Sequence, residues 1–310
     1  MPNHNGHAHA HADAALDRRL WAGVGLNVLI TAVEVVGGLL SGSLALLSDA
    51  LHNASDVAAL LIAIVARVLG RKPPSFQFSY GVKRLEVLAA LVNAAVLMAL
   101  AAGVGYQAVL RLLHPVAIKG STMLVVAVVA FLANAAAVLL LERHDKDDLN
   151  IRSAFLHLLQ DAVASLVVVA AALLANTRFG PYLDPAASLI IGLAVMASAL
   201  KLVWQSLGIL AEGTPDGINL EALVASLQES FEPERFHHFH VWTVGPGQVA
   251  LTAHVKMGKN GSLESVESRL AAIHAFLADK WRIHHATLEP EWEGCVGEGT
   301  LGQWNSKENG

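Results

Sequence analysis

The sequence predicts an α-helical membrane protein, with six transmembrane helices followed by a small αββαβ domain. Three observations predict it. The 310-residue chain is 54% hydrophobic and only 15% charged, with a positive mean hydropathy, which is less charge than a soluble protein of this length carries. Six long apolar runs lie within residues 18–211, each with the roughly 20 residues needed to cross the hydrocarbon of a bilayer. Residues 212–310 are mixed and polar, and their helix and strand periods run in the order helix, strand, strand, helix, strand.

In chain order, residues 1–17 form a polar tail carrying His4, His7, His9 and His11. They offer no core, so a flexible, loosely metal-gathering leader is expected. A cleaved signal peptide would begin its apolar core sooner. The spans are expected at 18–40, 44–69, 83–110, 120–142, 150–174 and 185–210. Ser41-Gly42-Ser43 is so short that the first two spans must be antiparallel neighbours. Arg71-Lys72-Pro73-Pro74 stops the second span, Pro115 follows the third, and Gly180-Pro181 with Asp184-Pro185 separates the fifth from the sixth. The small residues Gly37, Gly38, Gly103 and Gly105 suggest close helix packing.

Positive charge sets the expected orientation. Eleven basic residues fall on one side (Arg18, Arg19, Arg67, Arg71, Lys72, Lys83, Arg84, Arg143, Lys146, Arg152 and Lys201), against three on the other (Arg111, Lys119 and Arg178). Both termini are therefore expected in the cytoplasm, with the protein multi-pass in a bacterial inner membrane. The single cysteine, Cys295, excludes an intrachain disulfide framework, and no Lys/Arg-rich run suggests nucleic acid.

The soluble domain is expected over 212–292 and a frayed tail over 293–310. Asn219–Ser230 and Ser262–Lys280 have helical periods, with Ser262 as a cap. His237–Val244 and Gln248–Lys256 alternate as a hairpin around Gly245-Pro246-Gly247, and Ile283–Glu289 is a third strand. Strict alternation puts His238 and His240 on one face and His237 on the other.

The chemistry lies in the second and fifth spans. The second carries Asp49, His52, Asn53 and Asp56 inside an apolar run. An Asp there costs roughly 3 kcal/mol on insertion scales, so such a cluster implies function. His52 and Asp56 are four residues apart on one helical face, and His157 and Asp161 repeat that spacing in the fifth span. At ~1.5 Å per residue, the two pairs reach similar depth from opposite directions. Two imidazoles and two carboxylates suit a four-coordinate Zn2+ and disfavour Mg2+ or Ca2+, which prefer all-oxygen shells. A metal held by His52, Asp56, His157 and Asp161 is therefore the central expectation. Asp49 is expected on the ion's way in, or as a partner orienting His52. Glu34 either lines an aqueous path or meets an interhelical donor. Asn27 and Asn53 read as polar links between helices, and Ser48 and Ser165 as local backbone bonding.

With these motifs in view, the chain resembles the cation diffusion facilitator family, zinc-exporter type. The resemblance rests on Ser41–Asp56, Asn27-x3-Thr31-x2-Glu34, Tyr80-Gly81-x-Lys83-Arg84-x-Glu86, Asn150–His157 with Asp161, and His240-Val241-Trp242. It implies a homodimer, a cytoplasmic metallochaperone-like domain, and exchange of metal for H+ by alternating access at His52, Asp56, His157 and Asp161. It also implies a second, cytoplasmic metal site. Matching the strands carries over His237, His254 and Glu291, whereas Leu288 stands where some relatives have His. The loop Pro74–Val82 lacks the His and Asp that form a further site in some relatives. Arg84 matches a basic residue that locks helices near the dimer interface, with Glu212 as a possible partner.

Zn2+ as transported substrate and H+ as counter-ion are thus expected, with divalent metal ions, the lipid bilayer and a second copy of the chain as partners. A metal-gated channel or a non-transporting metal sensor would carry the same motifs. A membrane metalloprotease would need HExxH, which the chain lacks, so no enzyme is expected.

Overall fold

The computed structural model describes residues 25–70, 74–142, 149–245, 247–258, 262–292 and 299–301. The histidines of the N-terminal tail, Cys295, and Arg71 to Pro73 lie outside them. Six long helices come first: α1 Gly25–Ser41, α2 Leu44–Gly70, α3 Arg84–Leu113, α4 Gly120–Glu142, α5 Leu149–Leu173 and α6 Gly180–Leu210. The C-terminal part contains α7 Leu220–Ser230, β1 Arg235–Gly245, β2 Gln248–Lys256, α8 Leu263–Trp281 and β3 His285–Glu291.

The chain forms two compact units. One is built from residues up to Ile64 with Val92–Val203, the other from Val65–Leu91 with residues from Trp204 onward. The loop between α2 and α3 and the first turns of α3 thus cluster with the C-terminal part.

In the first unit, small residues set the packing. The core joins Ala45 and Leu46 of α2 to Leu97, Ala101, Met123, Ala127, Val168, Ala172, Ile191 and Val195. A side chain at Gly37 would come within 2.6 Å of Val126 on α4, so α1 and α4 approach closely there. Gly103 differs from expectation, because a Cβ there would meet nothing within 4 Å. The helix α3 and α6 surfaces are apolar yet largely uncovered: Val92, Val96, Leu193 and Trp204 are each more than half exposed. These two helices are long and apolar enough to cross a membrane; α1, α4 and α5 contain shorter apolar stretches, at Gly25–Ser41, Gly120–Ala136 and Leu158–Leu173.

Helix α6 starts at Gly180 rather than 185, with Pro185 inside it. Asp184 is not a turn residue. Its carboxylate receives the N–H groups of Leu44 (2.9 Å) and Ala45 (3.2 Å) and the hydroxyl of Ser43 (2.5 Å), which caps the start of α2.

The second unit has a three-stranded sheet in the order β1-β2-β3, with β1 antiparallel and β3 parallel to β2. One face packs against α7 and α8 through Phe239, Val241, Leu251, Val255, Leu223, Leu227, Ile273 and Leu277. Helix α8 is capped by Ser262, which accepts the Ser265 N–H. Gly299–Leu301, expected in the frayed tail, instead runs beside β1. The N–H groups of His238 and Phe239 donate to the carbonyls of Gly299 (3.2 Å) and Thr300 (3.0 Å).

Candidate metal centre

The polar residues of α2 and α5 meet inside the first unit. His52 Nε2 lies 3.1 Å from Asp161 Oδ1 and 3.9 Å from Asp56 Oδ2. One ligand atom from each of the three falls within 4.8 Å of the others. The i, i+4 spacing puts His52 and Asp56 one turn apart on the same face of α2. Asp161 comes from α5 and is almost fully buried, while His52 and Asp56 keep some access. The His157 side chain lies outside the described residues; its backbone is one turn before Asp161 on α5. One imidazole and two carboxylates form a nitrogen–oxygen set that suits a borderline dication, and the two negative charges would balance it in a low-dielectric interior.

A layer of neutral and acidic groups surrounds this cluster. Asp49 Oδ2 accepts from Ser165 Oγ at 3.1 Å, and Ser165 in turn accepts from Asn134 Nδ2 of α4 at 3.1 Å. Asn53 Nδ2 donates to Glu34 Oε2 at 2.8 Å, so Glu34 meets an interhelical donor and is wholly buried. Ser165 therefore links three helices instead of bonding its own backbone. Ser48 likewise reaches across to Ser188 of α6, with the hydroxyls 2.7 Å apart. The sequence alone does not reveal Asn134, Asp184 and Ser188 as the partners in these links. A polar residue in an apolar run was the available signal, but it does not say which neighbour a short side chain will meet.

A second cluster lies on the open face of the sheet. His237 and His254 stand opposite one another in the β1–β2 register. Glu291 of β3 holds both, with Oε1 2.5 Å from His254 Nδ1 and Oε2 3.2 Å from His237 Nε2. Glu289 Oε2 lies 3.6 Å from His254 Nε2. The expected alternation of histidines fails here. Between His237 and His240 the register shifts, so His238 and Phe239 stand opposite Ala253 alone, and His238 takes a φ of +54°. This β-bulge turns His238 toward the cluster, its ring 4.8 Å from that of His254, and returns His240 to the same face as His237. The amides that the bulge withdraws from β2 are those bonded by Gly299 and Thr300.

Arg84, at the start of α3, pairs with Glu212 at 3.0 Å, as the resemblance suggested. The pair is exposed and lines a cavity of about 770 Å³ together with Tyr80, His240 and Trp242.

A family model described as the cation efflux transmembrane domain matches residues 20–211. The chain is 36% identical over 299 residues to a protein of Escherichia coli (strain K12) named zinc transporter ZitB, covering 94% of each chain. It is 33% identical over 291 residues to the metal cation efflux system protein CzcD of Cupriavidus metallidurans, covering 94% of this chain and 91% of that one. It is 32% identical over 288 residues to a cadmium, cobalt and zinc/H(+)-K(+) antiporter of Bacillus velezensis, covering 92% of each.

Proposed function

Because the chain belongs to the cation efflux, or cation diffusion facilitator, family, we propose that it moves divalent metal cations, Zn2+ foremost, out of the cytoplasm in exchange for protons. The observation that carries this reading is the convergence of His52, Asp56 and Asp161 in the interior of the helical unit. His157, one turn from Asp161, completes a four-ligand transport site. The relatives named for zinc, cadmium and cobalt fit the same nitrogen–oxygen ligand set.

The six helices α1 to α6 span the bilayer as a domain over 18–211. The exposed apolar surfaces of α3 and α6 support this, since lipid solvates them at no cost and water does not. The positive-inside bias places both termini and the 212–292 domain in the cytoplasm. The protein works as a homodimer, with the Arg84–Glu212 pair near the dimer contact.

Ligands must be deprotonated to hold metal, so loading the inward-facing site releases protons. In the outward-facing state protons return and displace the ion. Helix rocking around the fixed site supplies alternating access.

In inverted vesicles, Asp161→Ala is expected to reduce zinc uptake to background; undiminished uptake would sink the site assignment. Metal-dependent proton flux in proteoliposomes tests the exchange. Ion current without proton movement would identify a channel instead.

A further inference from the structure

The unit containing the sheet holds a basic pocket that the transport reading does not use. Its volume is about 470 Å³, and its walls come from the loop before α3, the β1–β2 turn and the stretch joining α8 to β3, all within that unit. Four cationic or protonatable side chains line it: Lys83, Arg282, His284 and His285. Among the described residues no carboxylate lines it, and none of the four is paired with an acid. By contrast Arg84, one residue further on, is neutralised by Glu212 in the neighbouring cavity. Several of these cations are held in place. The Lys83 stem lies against Gly245, where a Cβ would come within 2.6 Å of Lys83 Cβ. Its ammonium donates to Gln248 Oε1, a neutral acceptor that leaves the charge uncancelled. The Tyr80 ring meets that of His285 edge-on, with 5.9 Å between centroids. Arg282 ends α8 with a φ of +55°, a left-handed conformation that glycine adopts more readily. The α8 dipole accounts for a cation at that end, but not for three more meeting it from two other segments.

We propose that this pocket binds a phosphate group, carried by the headgroup of an anionic phospholipid. An arginine forks onto two phosphate oxygens and a lysine meets another as a point charge. His284, His285 and the Tyr80 hydroxyl add further donors. Single exposed charges bind weakly, but several of one sign in one concavity sum to a field that concentrates an anion. The same charges repel a metal ion, so this is not a third cation site. Volume favours a headgroup over bare phosphate. About 470 Å³ lies within the range of small-molecule sites, roughly 300–1,000 Å³, and leaves room for a glycerol beside the phosphate. Position favours the lipid as well. Lys83 directly precedes α3, and Leu85 and Leu88 on its first turns are 51% and 46% exposed, an apolar surface for the lipid beyond its headgroup. The lipid source rests on the reading of α3 as a membrane span; the phosphate pocket does not.

The test uses the full-length protein in neutral detergent with three probes: dioleoyl phosphatidylglycerol, dioleoyl phosphatidylcholine and inorganic phosphate. Bound lipids are counted by native mass spectrometry and phosphate binding is read by calorimetry. The proteins are wild type, Lys83→Met/Arg282→Gly and Lys83→Arg/Arg282→Lys. Methionine keeps an apolar stem against Gly245 and glycine suits the backbone at 282, so the first pair removes charge and little else. That pair is expected to weaken the tightest phosphatidylglycerol site by about tenfold or more. The charge-keeping pair should retain the site, and phosphatidylcholine binding should be the same in all three proteins. Equal phosphatidylglycerol binding in all three would overturn the proposal, as would phosphatidylcholine weakened to the same extent. Inorganic phosphate binding that falls with the charges, without a lipid site that does so, would uphold the phosphate pocket and overturn the lipid. Should the charge-removing pair fail to fold, hydrogen exchange of the wild type in nanodiscs of each lipid decides. Slower exchange over 79–85 and 282–285 is expected with phosphatidylglycerol, and equal exchange would overturn the proposal. If α3 did not span the membrane, the inorganic phosphate arm in detergent would still read the pocket.

Discussion

Ser165 shows what a single hydroxyl does in this interior. It is completely buried, donates to Asp49 and accepts from Asn134, so it joins α5 to α2 and α4. Ser165→Ala strands one oxygen of Asp49 and one N–H of Asn134 where water cannot replace the lost partner. The expected cost is about 1–3 kcal/mol, read as a lower unfolding midpoint in detergent. Ser165→Thr keeps the hydroxyl and should recover most of the loss. The grouping of His52 with Asp56 was legible in the sequence at this scale because its information lies in spacing: His and Asp at i, i+4 must share a helix face whatever surrounds them. The role of Ser165 was not legible. A serine in an apolar helix satisfies its hydroxyl equally well on its own backbone or across an interface, and only the neighbouring helix decides between them.

Helix boundaries and strand registers carry the same lesson one level up. The short Ser41-Gly42-Ser43 link makes the first two helices neighbours, but what holds the start of α2 is hidden in the sequence. Asp-Pro reads as a turn, yet Pro185 sits inside α6 and Asp184 faces the exposed amides at the start of α2. Ser43 closes the arrangement by accepting the N–H of Leu46 while donating to Asp184. Arg111 of α3 adds a cation 3.8 Å away. Asp184→Ala removes the acceptor for three donors at once and should destabilise the helical unit by about 2 kcal/mol or more. Asp184→Asn retains an acceptor oxygen and should cost less. Thermal unfolding of the two variants side by side checks the order; equal losses would mean that charge rather than acceptor geometry matters. In β1, alternation was the right rule for either end of the strand and the wrong one across its middle. A bulge adds one residue and flips every side chain beyond it. His238 accepts a left-handed backbone conformation there, and nothing in its own side chain signals that choice.

At the scale of the molecule, each compact unit owns one cluster of candidate ligating groups among the described residues. His52, Asp56 and Asp161 all belong to the helical unit, and His237, His254 and Glu291 all belong to the unit containing the sheet. No side chain is shared between them, so the two sites are chemically separable and can be removed one at a time. This separation yields a double dissociation. His237→Ala/His254→Ala removes the two imidazoles that Glu291 holds. One zinc per chain should be lost from equilibrium binding, while uptake at saturating zinc continues. Asp161→Ala should do the reverse, ending uptake while zinc binding at the sheet cluster is kept. If zinc on the sheet cluster also draws two copies of the domain together, the double variant will lose zinc-dependent association of the C-terminal parts. That change would be measured as distance between spin labels on α8 of two chains in the full-length protein. Uptake in that variant would then fall mainly at low zinc, where association helps most, and recover as zinc rises. A variant that lost uptake at every zinc concentration would show instead that the sheet cluster is required for the transport step itself.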